Sequence, residues 1–460
     1  MRCSRAAARV MAGLLAWMGW AGVTHAAGVE HPDVGTVALG RAGAYAAEPD
    51  GGLALVYNPA GLARQDGLRA TLDANLAWQR LTFTPDGGGP AVANGAPPFL
   101  APAAVVSYGL GAVGPLAGLA FAAGVAGPSA IGRLDYPATG AQRYALISSD
   151  TQIAYWSAAV AAAFNEWLAA GVTFQLVQGT ARFTQAVWSG SDMGTDPAGD
   201  ALAHVDVSSG LIPTAILGVT ARPHERVSVG ASWRRGFTFD AQGSLDTTLP
   251  AAAQAIGAHQ TGTATGFTLP FPDVFRVGVL ARPRARWLVE LDLVYERWST
   301  LRSFALEPHG IVIASDNFGT SKPLPDFVFQ RNFDDAFSVR LGAEREVVPG
   351  RLTARAGLLH ETSAVPTAST SVDFPNWERD VVAVGASFAI PRTPATIDLA
   401  YAHHFLPART VTASRIAQVV TPCLTPGCTD PTPSIVGNGR YTAALDVLSA
   451  SVRVALGGRP

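Results

Sequence analysis

The chain has 460 residues, 48% of them apolar and 15% charged, with a formal net charge of −2. That length exceeds the ~100 to 200 residues of an ordinary soluble domain, and so balanced a charge gives no reason to expect a nucleic-acid partner. A single large barrel evades the size rule, because its apolar excess becomes a lipid-facing belt.

In chain order, the first feature is an export signal. Arg2, Arg5 and Arg9 precede an apolar run from Val10 to Val23 and the small residues Thr24 and Ala26, so residues 1–26 are expected to be cleaved after Ala26. Cys3 leaves with them. Residues 27–67 do not alternate, are rich in Gly and Ala, and are long enough to fold into a barrel lumen as a plug. Their Asn58-Pro59-Ala60 triplet also occurs in water channels, but those need paired half-helices in a bundle of apolar helices, which this chain lacks.

From residue 68 to the end at 460 the pattern is that of a membrane barrel. In LRATLDANLAW, Leu68, Ala70, Leu72, Ala74, Leu76 and Trp78 share one face, while Arg69, Thr71, Asp73 and Asn75 share the other. The stretch from Ala103 to Pro128 is apolar enough for a membrane helix, but Gly109, Gly111, Gly114, Pro115, Gly118, Gly124 and Gly127 interrupt it. Two strands joined around Gly111 to Pro115 fit those breakers better. Gly109, Gly111 and Gly114, with Asp135 further on, imitate a dinucleotide-binding fingerprint, but Pro115 and the export signal favour the hairpin turn.

Alternation returns in RVSVGASWRR, FRVGVLA, WLVELDLVYE, FSVRLGAE, LTARAGLLHE and TIDLAYAHHF. Their inward sets carry Arg276, Glu290, Asp292, Arg340, Glu344, Arg355 and Asp398, which read as lumenal ion pairs bracing the wall, with direct ligand contact as the alternative. Trp233, Trp287, Tyr295 and Trp298 stand near strand ends, where interfacial aromatic girdles belong. His403 and His404 are adjacent, so on a strand they face opposite sides and at most one is lumenal. Cys423 and Cys428 sit in a Pro-rich stretch, and an oxidising compartment would let them pair; no nearby His or further Cys completes a metal site.

The fold class is therefore all-β: a transmembrane antiparallel barrel of about fourteen strands over residues 68–460, with an N-terminal plug at 27–67. Segments 85–99, 127–142, 189–204, 240–268, 303–334 and 407–438 are the expected outer loops, and ARPHERV and ARPRARW two of the short periplasmic turns.

These residues resemble the FadL/TodX family of outer-membrane hydrophobe transporters over nearly the whole mature chain. The similarity rests on Gly40-Arg41-Ala42, the acidic spot at Glu48 and Asp50, and Asn58, Pro59, Ala60, Gly61 and Leu62. Further matches are PSAIGRLDYPATGAQRYALISS, VSVGASWRRGF, LPFPDVFRVGVLARPRARWLVELDLVYERWSTL and LTARAGLLHETSAVP. The resemblance implies a fourteen-stranded barrel whose N-terminal hatch, carrying Asn58 to Gly61, plugs the lumen. It also implies passive carriage of long-chain fatty acids or related hydrophobes, with exit sideways into the membrane beside a kinked third strand. Gly124, Gly127 and Pro128 are the candidate kink, since glycine and proline weaken strand pairing. Arg143, Arg276, Arg340 and Arg355 are candidates for a ligand head group or for lumenal bracing. The expected partners are a hydrophobic small molecule, outer-membrane lipid and lipopolysaccharide, and the expected state is a monomer. Neither cofactor nor metal nor covalent chemistry is expected; a barrel lipase or protease would need a Ser/His/acid set, and no GxSxG occurs. Aromatic-hydrocarbon uptake is the alternative cargo within the family. A general porin is disfavoured by the long non-alternating N-terminal segment. One departure is the end SASVRVALGGRP, which lacks the terminal aromatic usual in such barrels.

Overall fold

The computed structural model describes residues 33–127, 132–188 and 196–457. The export signal, the first residues of the expected plug (27–32) and Pro128 lie outside the described residues.

Strands that alternate a lipid face with a lumen face can satisfy their backbone groups only by closing on one another. They do so here as fourteen antiparallel staves. β1 (Asp66–Pro85), β2 (Phe99–Val113), β3 (Leu116–Ala126, resumed at Gly132–Asp135), β4 (Ser148–Ala163) and β5 (Leu168–Trp188) form one side. Five interrupted staves follow: β6 (Asp200–Ser209, Ile212–His224), β7 (Val227–Arg234, Phe237–Thr248), β8 (Ala264–Phe271, Val274–Ala281), β9 (Trp287–Glu296, Ser303–Pro308) and β10 (Phe327–Gln330, Ala336–Val348). The ring is completed by β11 (Leu352–Glu361), β12 (Arg379–Ala389), β13 (Ala395–Val411) and β14 (Gly439–Leu456). β14 pairs with β1 from Leu68↔Leu456 to Pro85↔Gly439, which closes the ring. No described helix is long and apolar enough to cross a membrane; the strands are what crosses it.

The outward and inward sets follow the alternation. Leu72, Phe275, Val277, Leu293, Phe337, Leu399 and Tyr401 are exposed outward, while Asp73, Glu290, Asp292, Arg340, Arg355 and Asp398 are buried inward. Ala103 to Gly127 forms two strands joined by a hairpin, Val113↔Leu116, in which Gly111 and Gly114 adopt positive φ. His403 faces outward beside Asp446, and His404 is fully buried on the other face. The C-terminal strand runs to Leu456 despite the missing aromatic.

Several expectations need correction. The first strand starts at Asp66, not residue 68. Segments 240–268 and 303–334 are not plain loops: β7, β8, β9 and β10 run on through them, and strands Ala258–Thr261, Val312–Ser315 and Thr320–Pro323 form a separate small sheet. Trp298 belongs to no lipid-facing girdle. It is fully buried in the break of β9, against Phe271 and Phe333, with its indole N–H on Glu296 at 2.7 Å. A large ring whose single donor is satisfied inside loses nothing by leaving the interface.

Candidate functional site

Residues 33–65 lie against the inward side chains of the wall, at the half of the barrel nearer the short turns. They form short helical turns, Thr36–Leu39, Ala54–Tyr57 and Pro59–Arg64, too short to be stable alone. Their order comes from what they touch. Asn58 is fully buried: its Nδ2 donates to the carbonyls of Ala46 (2.8 Å) and Val219 (3.0 Å), and its Oδ1 accepts from the Ala60 N–H (3.2 Å), capping the turn that Pro59 starts. Gly61 packs on Pro49, where a side chain would overlap the Pro49 carbonyl.

The wall is shaped to receive this segment. Three pairs of glycines stand directly opposite each other across neighbouring strands, Gly171↔Gly218, Gly230↔Gly278 and Gly342↔Gly357. A Cβ would overlap Asn58 at Gly218, the Ala46 carbonyl at Gly230 and Arg41 at Gly357. The segment's backbone thus occupies space that wall side chains would fill.

Buried charge fixes it in place. The Thr36 N–H and hydroxyl both donate to Asp73 (2.7 and 2.8 Å); the Tyr45 and Ala46 N–H groups donate to Asp292 (2.7 and 2.9 Å). The Ala47 N–H donates to Glu290 (2.6 Å), which also pairs with Arg41 (3.2 Å). Arg340 holds Asp33 at 2.7 Å. Glu48 binds Ser228 (2.7 Å), Arg282 (3.0 Å) and Arg222. The Asp50 side chain is half exposed; partial loss of hydration works against its ionisation, but Arg453, the Tyr45 hydroxyl and Arg41 outweigh it and bring its carboxyl down to about 2. Burial likewise drives the Tyr57 hydroxyl well above the usual phenol range.

The four candidate arginines take different positions. Arg340 and Arg355 belong to the bracing: Arg340 holds the segment, and Arg355 binds Glu344 (2.6 Å) and Ser387 across the wall. Arg143 lies in the turn before β4, bound to Asp200 (2.6 Å) and the Tyr144 hydroxyl (3.0 Å). Arg276 sits 5.8 Å from the Tyr57 ring centre, and its buried Nε and Nη1 have no hydrogen-bond partner among the described residues.

Beyond the segment, at the half nearer the long connections, the lumen widens into a chamber of about 460 Å³. Seven phenylalanines line it, Phe183, Phe239, Phe267, Phe304, Phe327, Phe329 and Phe374, with Ile153 and Leu269 between them. Several rings pack on one another, as at Phe304 and Phe329 (centroids 4.7 Å apart). The chamber also holds Arg331, which pairs with Asp373 and lies over the rings of Phe304 (5.1 Å) and Phe374 (5.3 Å). Residues 415–420 close one side, with exposed Arg415 at the edge. The chain that follows, residues 421–430, contains the Cys423–Cys428 disulfide and is tied to the small sheet by Lys322–Asp430 (2.8 Å) and Thr320 to the Leu424 carbonyl (2.6 Å). None of the chamber phenylalanines, nor Arg331, Asp373 or Arg415, was singled out from the sequence. The available signal was the density of phenylalanine in segments otherwise read as polar loops.

The third feature is a notch in the wall. Gly124 sits in a regular ladder, opposite Val105 on one side and Ser157 on the other. The interruption begins at Gly127. The described pairing of β3 with β4 runs to Ala126↔Tyr155 and is next found at Gly132↔Thr151. Gly132–Asp135 pairs with β4, whereas the last described ladder contact between β3 and β2 is Ala103↔Ala126. The Phe99 ring packs on Gly132 at this gap.

Residues 18–429 match the profile of a family described as outer membrane protein transport protein (OMPP1/FadL/TodX). Among solved structures, a Pseudomonas aeruginosa FadL homologue superposes with a TM-score of 0.73 at 15% identity, covering 93% of this chain and 100% of that one. The Ralstonia pickettii toluene transporter TbuX gives 0.65 at 15% identity, covering 92% and 98%. The long-chain fatty acid transport protein of Escherichia coli K12 is 25% identical over 158 residues, 34% of this chain and 31% of that protein's length.

Proposed function

The chain belongs to the outer membrane transport protein family OMPP1/FadL/TodX, and from that premise we propose that it carries long-chain fatty acids or related hydrophobic compounds passively through the outer membrane. The fold is an outer-membrane barrel, and its family transports hydrophobic compounds. The observation that supports the reading is the phenylalanine-lined chamber next to the docked segment 33–65. An apolar compound gains ~25 cal/mol for each Å² withdrawn from water, a gain that a water-filled pore cannot offer. Residues 33–65 act as the hatch: no apolar chain passes the glycine-lined half of the lumen while they are docked. The way out is sideways at the β3 notch, with Gly127 at its edge, so the cargo enters lipid without returning to water. The protein works as a monomer with no covalent step, in contact with lipid and lipopolysaccharide.

The ring lining also favours a second cargo, a monoaromatic hydrocarbon, since stacked phenylalanines suit a flat ring as well as an alkyl chain. Binding of a labelled C16 fatty acid to the detergent-folded barrel, competed separately by its methyl ester and by toluene, separates the two. Saturable binding displaced by neither competitor establishes a carboxylate-reading site. Displacement by toluene moves the assignment to the hydrocarbon. Absence of saturable binding by all of them sinks the transport reading.

A further inference from the structure

Arginine is spread unevenly around the short-turn end of the barrel. Exposed arginines stand in the β6–β7 turn (Arg226), the β8–β9 turn (Arg284, Arg286), the end of β10 (Arg345), the β10–β11 turn (Arg351) and the β12–β13 turn (Arg392). The acids set against them are Glu225, 3.9 Å from Arg226, and Glu346, 3.8 Å from Arg286; Glu344 is already taken by Arg355 at 2.6 Å. Arg284, Arg345, Arg351 and Arg392 have no acidic partner among the described residues, so this arc presents unmatched positive charge. The other side of the ring differs. The β2–β3 turn (Gly114, Pro115) and the β4–β5 turn (residues 164–167) hold no arginine, and Glu166 is their one charged residue.

The level of Arg345 in the wall identifies what the arc faces. β9 and β10 cross the membrane side by side, and their outward pairs run from Tyr295↔Phe337 through Leu293↔Val339, Leu291↔Leu341 and Val289↔Ala343 to Trp287↔Arg345. The apolar column ends at that last pair, where the Arg345 guanidinium carbon lies 5.1 Å from the centre of the Trp287 ring. Tryptophan at the end of such a column marks the boundary of membrane and water. Arg345 is therefore outside the ring at head-group level, where its neighbour is lipid and not a soluble protein. Short turns face the periplasm, and the leaflet on that side is phospholipid, whose phosphate matches the guanidinium fork. We propose that this arc, from β6 to β13, binds anionic phospholipids of the inner leaflet through their head-group phosphates, with Arg345 on Trp287 as its deepest member. A zwitterionic head group carries an ammonium that the unmatched arginines repel; an anionic one does not. By strand order the middle of the arc, β9 and β10, stands seven of fourteen staves from β2 and β3, so the anionic lipid gathers opposite the β3 notch. The inference rests on the barrel's contact with lipid and not on which cargo it carries.

The test places the full-length folded barrel in phosphatidylcholine vesicles with a trace of chain-spin-labelled phosphatidylglycerol or phosphatidylcholine. Electron paramagnetic resonance then reads the fraction of label held against the protein. Phosphatidylglycerol is expected to associate about fivefold more strongly at low salt, the pull of one unmatched arginine. That excess disappears in about 1 M salt, where screening acts within about 3 Å. In the variant Arg284→Gln/Arg345→Gln/Arg351→Gln/Arg392→Gln, checked for folding by heat-shifted gel mobility, the two lipids associate equally. Arg345→Gln alone, which has no ion pair to lose, serves if the fourfold variant does not fold, and lowers the excess to about threefold. Equal association of the two lipids with the wild type, an excess indifferent to salt, or a folded fourfold variant that keeps the wild-type excess overturns this inference alone and leaves the cargo reading untouched. A barrel that holds neither lipid contradicts the lipid contact itself.

Discussion

The two halves of the lumen are made of opposite materials. Towards the short turns, wall glycines and buried carboxylates and arginines clasp a polar backbone; towards the long connections, phenylalanines surround empty space with one neutralised ion pair. The first half has specificity for its own chain segment and no room for anything else. The second has room and an apolar surface. A barrier and a binding site are thus placed in series within one ring, and each can be damaged without the other.

The largest expected effect comes from deleting residues 33–65. The closed ladder of fourteen staves is untouched, so the barrel folds, and planar-bilayer conductance rises from near closed to that of a water-filled pore, while hydrophobe binding in the chamber persists. Arg340→Met comes next. It takes the paired cation from buried Asp33, whereas Glu361 keeps Arg379 at 2.7 Å; breaking one buried pair costs about 3 to 5 kcal/mol, and frequent opening events in single-channel records are the expected sign. Gly357→Ala acts by shape alone. The added methyl overlaps Arg41, so the segment shifts and protease susceptibility near Arg41 rises, while gel mobility of the folded barrel stays unchanged. Phe267→Ala should do the reverse of all these: conductance is unaltered and hydrophobe affinity falls by about tenfold, in line with loss of one packed ring.

The smallest effect concerns pH. Asp50 is held down to about 2 in the folded chain, so its contribution is complete above the unfolded carboxylate range near 4 and is lost only as pH falls towards 2. Conductance should therefore be flat from pH 8 to pH 5, and a rise of opening within that window would show that another group controls docking.

Legibility in the sequence followed the same division. The membrane-crossing parts of the wall, such as LRATLDANLAW and VSVGASWRR, have lipid on one face and lumen on the other, and that physical split is what writes a period of two. The glycine pairs were invisible as a docking surface, because alternation shows which residues face inward and not what they face. Above the membrane the split fades. In Phe237–Thr248, Ala264–Phe271 and Ser303–Pro308 phenylalanines point into the lumen while polar groups face outward, so these strands passed for loops. Arg331 was missed for a related reason: it falls in the break of β10, where no periodicity assigns a face. The family resemblance supplied the order of the parts but no alignment for the head-group contacts, and the arginines chosen for their chemistry and inward register, Arg143, Arg276, Arg340 and Arg355, left out Arg331.

The central claim is that hydrophobic cargo occupies the phenylalanine chamber inside the ring, and photoaffinity mapping tests it most directly. A diazirine-bearing hydrophobe is irradiated with the intact folded barrel, and labelled peptides are identified by mass spectrometry with and without excess unlabelled compound. Competed label on peptides containing Phe183, Phe267, Phe304 and Phe329 is the predicted result; label confined to the outward lipid band, or unaffected by competitor, contradicts it.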